Sequence, residues 1–385
     1  MPPQHLRIPG PTPLPDAVRE AGSEQMVGHR GPEFMELVSR CSEGMRPYFQ
    51  TQSEVMIITA SGTGGLEAAV VTFLSPGDPV LTVSIGNFGE RFGNIAKAYG
   101  ADVTMLEFGW GTAADVDVVR DAIKDMAAAG REPKAVQVTY NETSTGVTNP
   151  LPELAEAIRS QAPDTLILVD GVSAVGAIPT EMDAWDLDVV VTGSQKAWMI
   201  PPGLAMAAAS ERAWAAAGSA TMPRFYFDLV KHREAIPKGQ TPWTPAVGII
   251  FQLDAALKLM ADEGREAIFA RHAACGAAAR AGLASMGFEL YADQAYASNT
   301  VTSALVPDGV DWSALNDQFR AGGLQLAGGQ GKMKGKLFRI GHLGDVTVDD
   351  IVTAIDIIEQ GALSIGLPVE AGMGPAAARS AAGEV

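Results

Sequence analysis

Lys196 follows the apolar run 189–192, in Gly193-Ser194-Gln195-Lys196, and precedes the apolar, Pro-containing stretch 197–204. A lysine in such low-dielectric surroundings has a lowered pKa and is a ready amine nucleophile toward a carbonyl. Asp170 closes another apolar run, 165–169. A carboxylate at the end of a buried strand is desolvated unless something positive faces it. A third run, 55–59, leads into Ala60-Ser61-Gly62-Thr63-Gly64-Gly65. Small residues opening a helix leave backbone N–H groups and the positive end of the dipole free for a phosphate. The loop has neither the dinucleotide spacing nor the lysine of a P-loop. Each feature has an ordinary reading by itself: a snorkelling lysine, a turn aspartate before Gly171, a tight strand-to-helix turn. Together they match what pyridoxal 5′-phosphate requires, which is a lysine for the aldimine, an acid for the pyridine nitrogen and a phosphate cradle.

These residues can meet only if the strands before them lie side by side, because open α/β sheets bind ligands at the carboxyl ends of their strands. The pattern supports this. Apolar runs at 55–59, 80–85, 103–108, 135–139, 165–169, 189–192 and 204–209 enclose helix-like stretches at 65–73, 90–99, 116–129 and 152–160. Such alternation predicts an α/β fold with a mostly parallel sheet covered on both faces. Beyond about residue 245 the pattern predicts helices at 246–262, 265–286, 312–321 and 348–364, with strands at 288–291, 300–306 and 336–341. The expected organisation is an extended, Pro-rich arm (1–20), a large cofactor-binding domain (21–245), a smaller C-terminal α/β domain (246–366) and a flexible tail (367–385).

The 385 residues carry 28 Lys+Arg against 45 Asp+Glu, a net charge of −17. That balance disfavours nucleic acid and anionic membranes as partners. Two cysteines, Cys41 and Cys275, make no disulfide scaffold, and the five histidines show no metal-ligand spacing. No apolar run reaches the ~18 residues of a membrane span, and no signal core opens the chain, so a soluble cytoplasmic protein without a metal is expected.

An ordered series of fragments over about residues 8–360 resembles the class V, fold-type I pyridoxal-phosphate aminotransferases, the group of alanine–glyoxylate and serine–glyoxylate aminotransferases. The fragments include Gly10-Pro11-Thr12-Pro13, Gly28-His29-Arg30-Gly31, Ser61-Gly62-Thr63-Gly64, Gly86-Asn87-Phe88-Gly89-Glu90-Arg91 and Glu142-Thr143-Ser144-Thr145-Gly146. Val169-Asp170-Gly171-Val172-Ser173, Gly193-Ser194-Gln195-Lys196, Thr241-Pro242-Trp243-Thr244-Pro245 and Phe338-Arg339-Ile340-Gly341-His342-Leu343-Gly344 complete it. The resemblance implies that Gly62, Thr63, Gly64 and Gln195 hold the phosphate, Phe88 stacks on the ring, Thr143 bonds its hydroxyl and Asp170 pairs with its nitrogen, with Val172 packed against it. Lys196 would carry the cofactor. Thr241 and Thr244 would reach the neighbouring subunit's cofactor in a homodimer with shared sites. Arg339 would clamp the substrate carboxylate, and Gly28, with His29 and Arg30, would lie on the substrate side.

The expected reaction moves an amino group from alanine or serine to glyoxylate or another small 2-oxo acid. Arg339 accounts for one carboxylate, and Arg30 is the only nearby candidate for a second, so monocarboxylate donors are expected ahead of aspartate and glutamate. Three alternatives stand beside this: an aspartate-preferring aminotransferase, a lyase or desulfurase on the same fold, and a phosphate or nucleotide binder. A desulfurase needs a nucleophilic cysteine in a mobile loop, whereas Cys275 falls within a helical pattern.

Overall fold

The computed structural model describes residues 5–383, so the first four residues of the expected arm and the last two of the expected tail lie outside it. Seven strands form the central sheet: β1 (Val55–Thr59), β2 (Pro79–Ser84), β3 (Asp102–Glu107), β4 (Ala135–Thr139), β5 (Leu166–Asp170), β6 (Val189–Gly193) and β7 (Leu204–Ala209). Their order is β1-β7-β6-β5-β4-β2-β3. Only β7 runs against its neighbours, so all the other strands end at one edge.

Successive strand residues point to opposite faces, and here both faces are buried. Ile57, Val83, Val138, Ile167, Val169 and Val190 join one cluster, with helix α1 (Pro32–Phe49) packed into it. Met56, Ile58, Val80, Leu168 and Val191 join the other, with helix α2 (Gly62–Phe73). Each fully buried Val, Leu or Ile stabilises the fold by ~1.5–3 kcal/mol, which is why these strands read as continuous rather than alternating apolar runs. Helix α2 begins at Gly62, three residues before the expected start. A Cβ on Gly65 would sit 2.7 Å from Val191 Cγ1 and 2.8 Å from Ala205 Cβ, so only glycine lets the helix approach the sheet this closely.

A second sheet holds β8 (Val301–Leu305), β9 (Ala327–Gly328) and β10 (Leu337–Gly341), antiparallel in the order β8-β10-β9. The strand expected at 288–291 is reduced to one bridge, Leu290 to Ala304. It follows directly on the helix-ending Gly287 (φ 81), which leaves it little length in which to pair.

Two expectations about the ends need correction. The arm is extended only as far as Pro15, after which Asp16–Ala21 forms a short helix. Its start is also pinned: His5–Leu6 pairs with Leu324–Gln325, the Gly341 N–H donates to the Arg7 carbonyl at 2.7 Å, and Arg7 pairs with Asp350 at 2.6 Å. At the other end, Met373–Ala382 is a helix rather than a flexible tail, and its Ala378 is fully buried with Leu283, Met286 and Ile355. Glu359 accepts the N–H groups of Gly372 at 2.6 Å and Gly374 at 2.8 Å. The Ala- and Gly-rich composition, read as fraying, permits close helix packing.

Candidate active site

The loops after β1, β2, β4, β5 and β6 meet at the carboxyl edge of the sheet and enclose a cavity of about 210 Å³. Gly62, Thr63, Phe88, Thr143, Asp170, Val172, Gln195 and Lys196 line it, together with Gly10, Ser61, Leu66, Arg91, Asn141 and Ser173.

Lys196 leaves β6 through a turn that is held on several sides. The Ser194 hydroxyl donates to the Pro201 carbonyl at 2.7 Å and accepts from the Leu204 N–H at 3.1 Å. Thr12 of the arm ties the Lys196 carbonyl to its hydroxyl at 3.0 Å. Trp198 lies fully buried beneath, stacked on Phe49. The Lys196 side chain is 9% exposed, and its Nζ donates to the Pro9 carbonyl. Burial, with the Arg339 charge adding to it, pushes the amine down to about 8. Gly10 (φ 133) is required there, because a Cβ would lie 2.9 Å from Lys196 Cδ, Cε and Nζ.

Asp170 ends β5, 5% exposed, and accepts one backbone hydrogen bond, from Val172 at 3.0 Å. Burial pushes this carboxyl up to about 7, and the nearby Glu142 charge adds to the effect. An added cation beside it would offset that cost.

At the third corner Ser61 caps α2, its hydroxyl accepting from Gly64 N–H at 3.4 Å. Gly62 abuts Val172, where a Cβ would come within 2.7 Å of Cγ2. Gln195 Oε1 is buried with no partner. This donor set fits pyridoxal phosphate: an amine for its aldehyde, a carboxylate short of a cation for its ring nitrogen, and an N-terminal turn with a free amide for its phosphate.

Other expected residues stand elsewhere. Arg339 is 5% exposed on β10 and does not line the cavity; it donates to the Thr143 carbonyl at 2.9 Å and to the Gly328 carbonyl at 2.8 and 3.1 Å. Gly64 packs against Ala60 and Phe227. Gly28 is exposed, and nothing lies within 4 Å of the position its Cβ would take. Thr241 and Thr244 also lie outside this chain's cavity: the Thr241 hydroxyl donates to the Trp243 carbonyl at 2.7 Å, and Thr244 is exposed. Arg30 is turned away, donating to Gln240 Oε1 and the Thr241 carbonyl, each at 2.8 Å, and lining a separate groove. Cys275 is buried in the helix Arg265–Ser285, its thiol pushed up to about 12 by burial, so it offers no thiolate to a desulfurase. Arg91, Asn141 and Ser173 were missed. Arg91 and Ser173 had a signal, standing in the same fragments as Phe88 and Asp170.

Among the described residues no helix is long and apolar enough to cross a membrane, and no group of three or more His, Cys, Asp or Glu side chains is placed to hold a metal ion.

Comparison with known proteins agrees with this geometry. The profile of the family described as aminotransferase class-V matches residues 8–333. The chain is 42% identical to the soluble hydrogenase, small subunit, of Synechococcus sp., over 92% of this chain and 91% of that protein. It is 35% identical to the L-aspartate–glyoxylate aminotransferase of Paracoccus denitrificans, over 97% of this chain and 94% of that one. It is equally, at 35%, identical to the serine–glyoxylate aminotransferase of Methylorubrum extorquens, over 98% and 95%. Among solved structures, the pyridoxamine–pyruvate aminotransferase of Mesorhizobium loti superposes with a TM-score of 0.93 at 30% identity, covering 98% of this chain and 97% of that one.

Proposed function

The chain belongs to the class V aminotransferase family and is a pyridoxal-phosphate-dependent transaminase, and on that premise we propose that it moves an amino group from a small amino acid, alanine or serine, to glyoxylate. The observation that carries this reading is the meeting of Lys196, Asp170 and the Ser61–Thr63 turn on one cavity. The glyoxylate-using relatives support the acceptor. The hydrogenase name belongs to that relative; the groups on this cavity are those of amino transfer.

When bound, pyridoxal phosphate supplies an aldehyde that takes an amine and a ring that stores the electron pair left on the substrate α-carbon. The chain does the rest. Gly62, Thr63 and Gln195 would hold the phosphate at the α2 N-terminus, where the dipole favours an anion. Asp170 would hold the proton on the ring nitrogen. Phe88 and Val172 would pack against the ring, and Thr143 would bond its hydroxyl. Lys196 Nζ would hold the cofactor and would take the proton from the substrate α-carbon. A lysine pushed down to about 8 is roughly one-tenth neutral at pH 7, far more than an ordinary lysine, which suits a general base. Arg339 takes the α-carboxylate, turning N–H donors from the carbonyls they now hold.

Thr241 and Thr244 act in the neighbouring subunit of a homodimer; their position outside this chain's own cavity supports that reading. A cytoplasmic location is in keeping with two buried, unpaired cysteines. The test incubates holoenzyme with alanine or serine and glyoxylate and measures glycine. No glycine from either donor rejects the reading.

A further inference from the structure

Helix α3 (Asn87–Ala98) carries Phe88 and, one turn later, Arg91 on the same face. The Arg91 guanidinium carbon lies 4.7 Å from the Phe88 ring centroid, and the side chain lines the cavity with Lys196, Asp170 and Thr143. It is exposed, so it stands at the mouth rather than the floor. Among the described residues it makes no ion pair and donates to no carbonyl; it packs on the Phe88 face, and Asp170 and Lys196 feel its charge at longer range. The other two candidate arginines differ. Arg339 is buried and engaged by two carbonyls, and Arg30 is spent on residues 240–242. Glu142 cannot serve as Arg91's counter-ion without giving up donors, since its carboxylate already accepts four hydrogen bonds.

A guanidinium with all its donors free, stacked on the ring that would cover the cofactor, is a preorganised fork for a second carboxylate. Because it is exposed, a carboxylate bound there keeps part of its hydration, which avoids most of the cost of burying an ion pair. We infer that Arg91 forms a distal-carboxylate subsite, so that the site also takes a four-carbon dicarboxylic donor of the aspartate class, with Arg339 on the α-carboxylate and Arg91 on the side-chain carboxylate. This rests on the transaminase reading and extends its donor range. It also removes the premise on which monocarboxylates were expected ahead of aspartate and glutamate, namely that Arg30 is the only nearby candidate for a second carboxylate.

The test compares kcat/KM for aspartate and for alanine, each with glyoxylate, in wild-type holoenzyme, Arg91→Gln and Arg91→Lys, with bound cofactor measured from its visible absorption. Loss of one exposed charge-assisted contact should lower the aspartate-to-alanine ratio in Arg91→Gln by roughly 2–5-fold, with partial recovery in Arg91→Lys and unchanged cofactor content. Equal losses for both donors, an unchanged ratio, or loss of cofactor would each overturn the inference, the last by giving Arg91 to the phosphate. Wild-type enzyme that converts alanine but not aspartate also overturns it, while leaving the transaminase reading intact. Enzyme that converts neither of these, nor serine, rejects the donor reading itself.

Discussion

The Phe88 N–H donates to Glu142 Oε2 at 2.9 Å, so the residue that covers the cavity hangs from a carboxylate one loop away. Gly89 N–H donates to the same oxygen at 3.1 Å; the other oxygen takes the Ser144 N–H at 3.1 Å and its hydroxyl at 2.6 Å. Burial pushes Glu142 up, and the four hydrogen bonds it accepts act against that rise. Glu142→Gln turns an NH2 toward N–H or O–H donors. We expect a loss of ~1–3 kcal/mol in stability and weaker cofactor retention, because Phe88 and Thr143 both depend on this clamp. Thermal unfolding and cofactor titration check this; a variant equal to wild type in both would remove Glu142 from the account.

Asp170→Asn should bind cofactor and react far more slowly. A neutral amide no longer holds the proton on the ring nitrogen, so charge developing on the substrate α-carbon loses its sink. The expected rise in the barrier is ~3–4 kcal/mol, the scale of removing one preorganised electrostatic partner. Single-turnover rates with alanine measure it, and near-normal turnover would deny Asp170 that role.

The same residue sets a pH dependence in protein stripped of cofactor. Burial pushes the Asp170 carboxyl up to about 7, above its unfolded value near 4. Its contribution to stability is therefore fully present below about pH 4 and is lost as pH rises through about 7. Lys196, pushed down to about 8, loses its contribution as pH falls through that value and adds little slope below it. Stripped Asp170→Asn should show a smaller fall in Tm between about pH 5 and 7 than stripped wild type. A fall of equal size would mean that Asp170 does not titrate there.

Strand-end chemistry was legible in the sequence because it follows a local rule. Lys196, Asp170 and Gly62–Thr63 each close an apolar run, and a parallel sheet gathers those ends. What could not be read depends on contacts distant along the chain. Arg30 looked available, but its guanidinium is held by residues 240–242, which no local pattern reveals. Arg91 lay in a quoted fragment, yet its facing follows from the cavity that α3 borders. The C-terminal segment looked frayed because its stability lies in Glu359 and the helices it packs on, not in its own small residues.

Thr244 should act across the subunit interface. Inactive Lys196→Ala and inactive Thr244→Ala proteins, mixed under conditions of shown subunit exchange, should regain activity, since one site per hybrid has both residues intact. No recovery would place Thr244 in its own subunit's site.

The central claim is that Lys196 holds the cofactor and moves the proton. Borohydride reduction of the holoenzyme, followed by peptide mapping, tests it most directly. The account predicts that the reduced cofactor is found on Lys196, and that Lys196→Ala gives neither a labelled peptide nor turnover. A label on any other lysine, or turnover in Lys196→Ala, contradicts it.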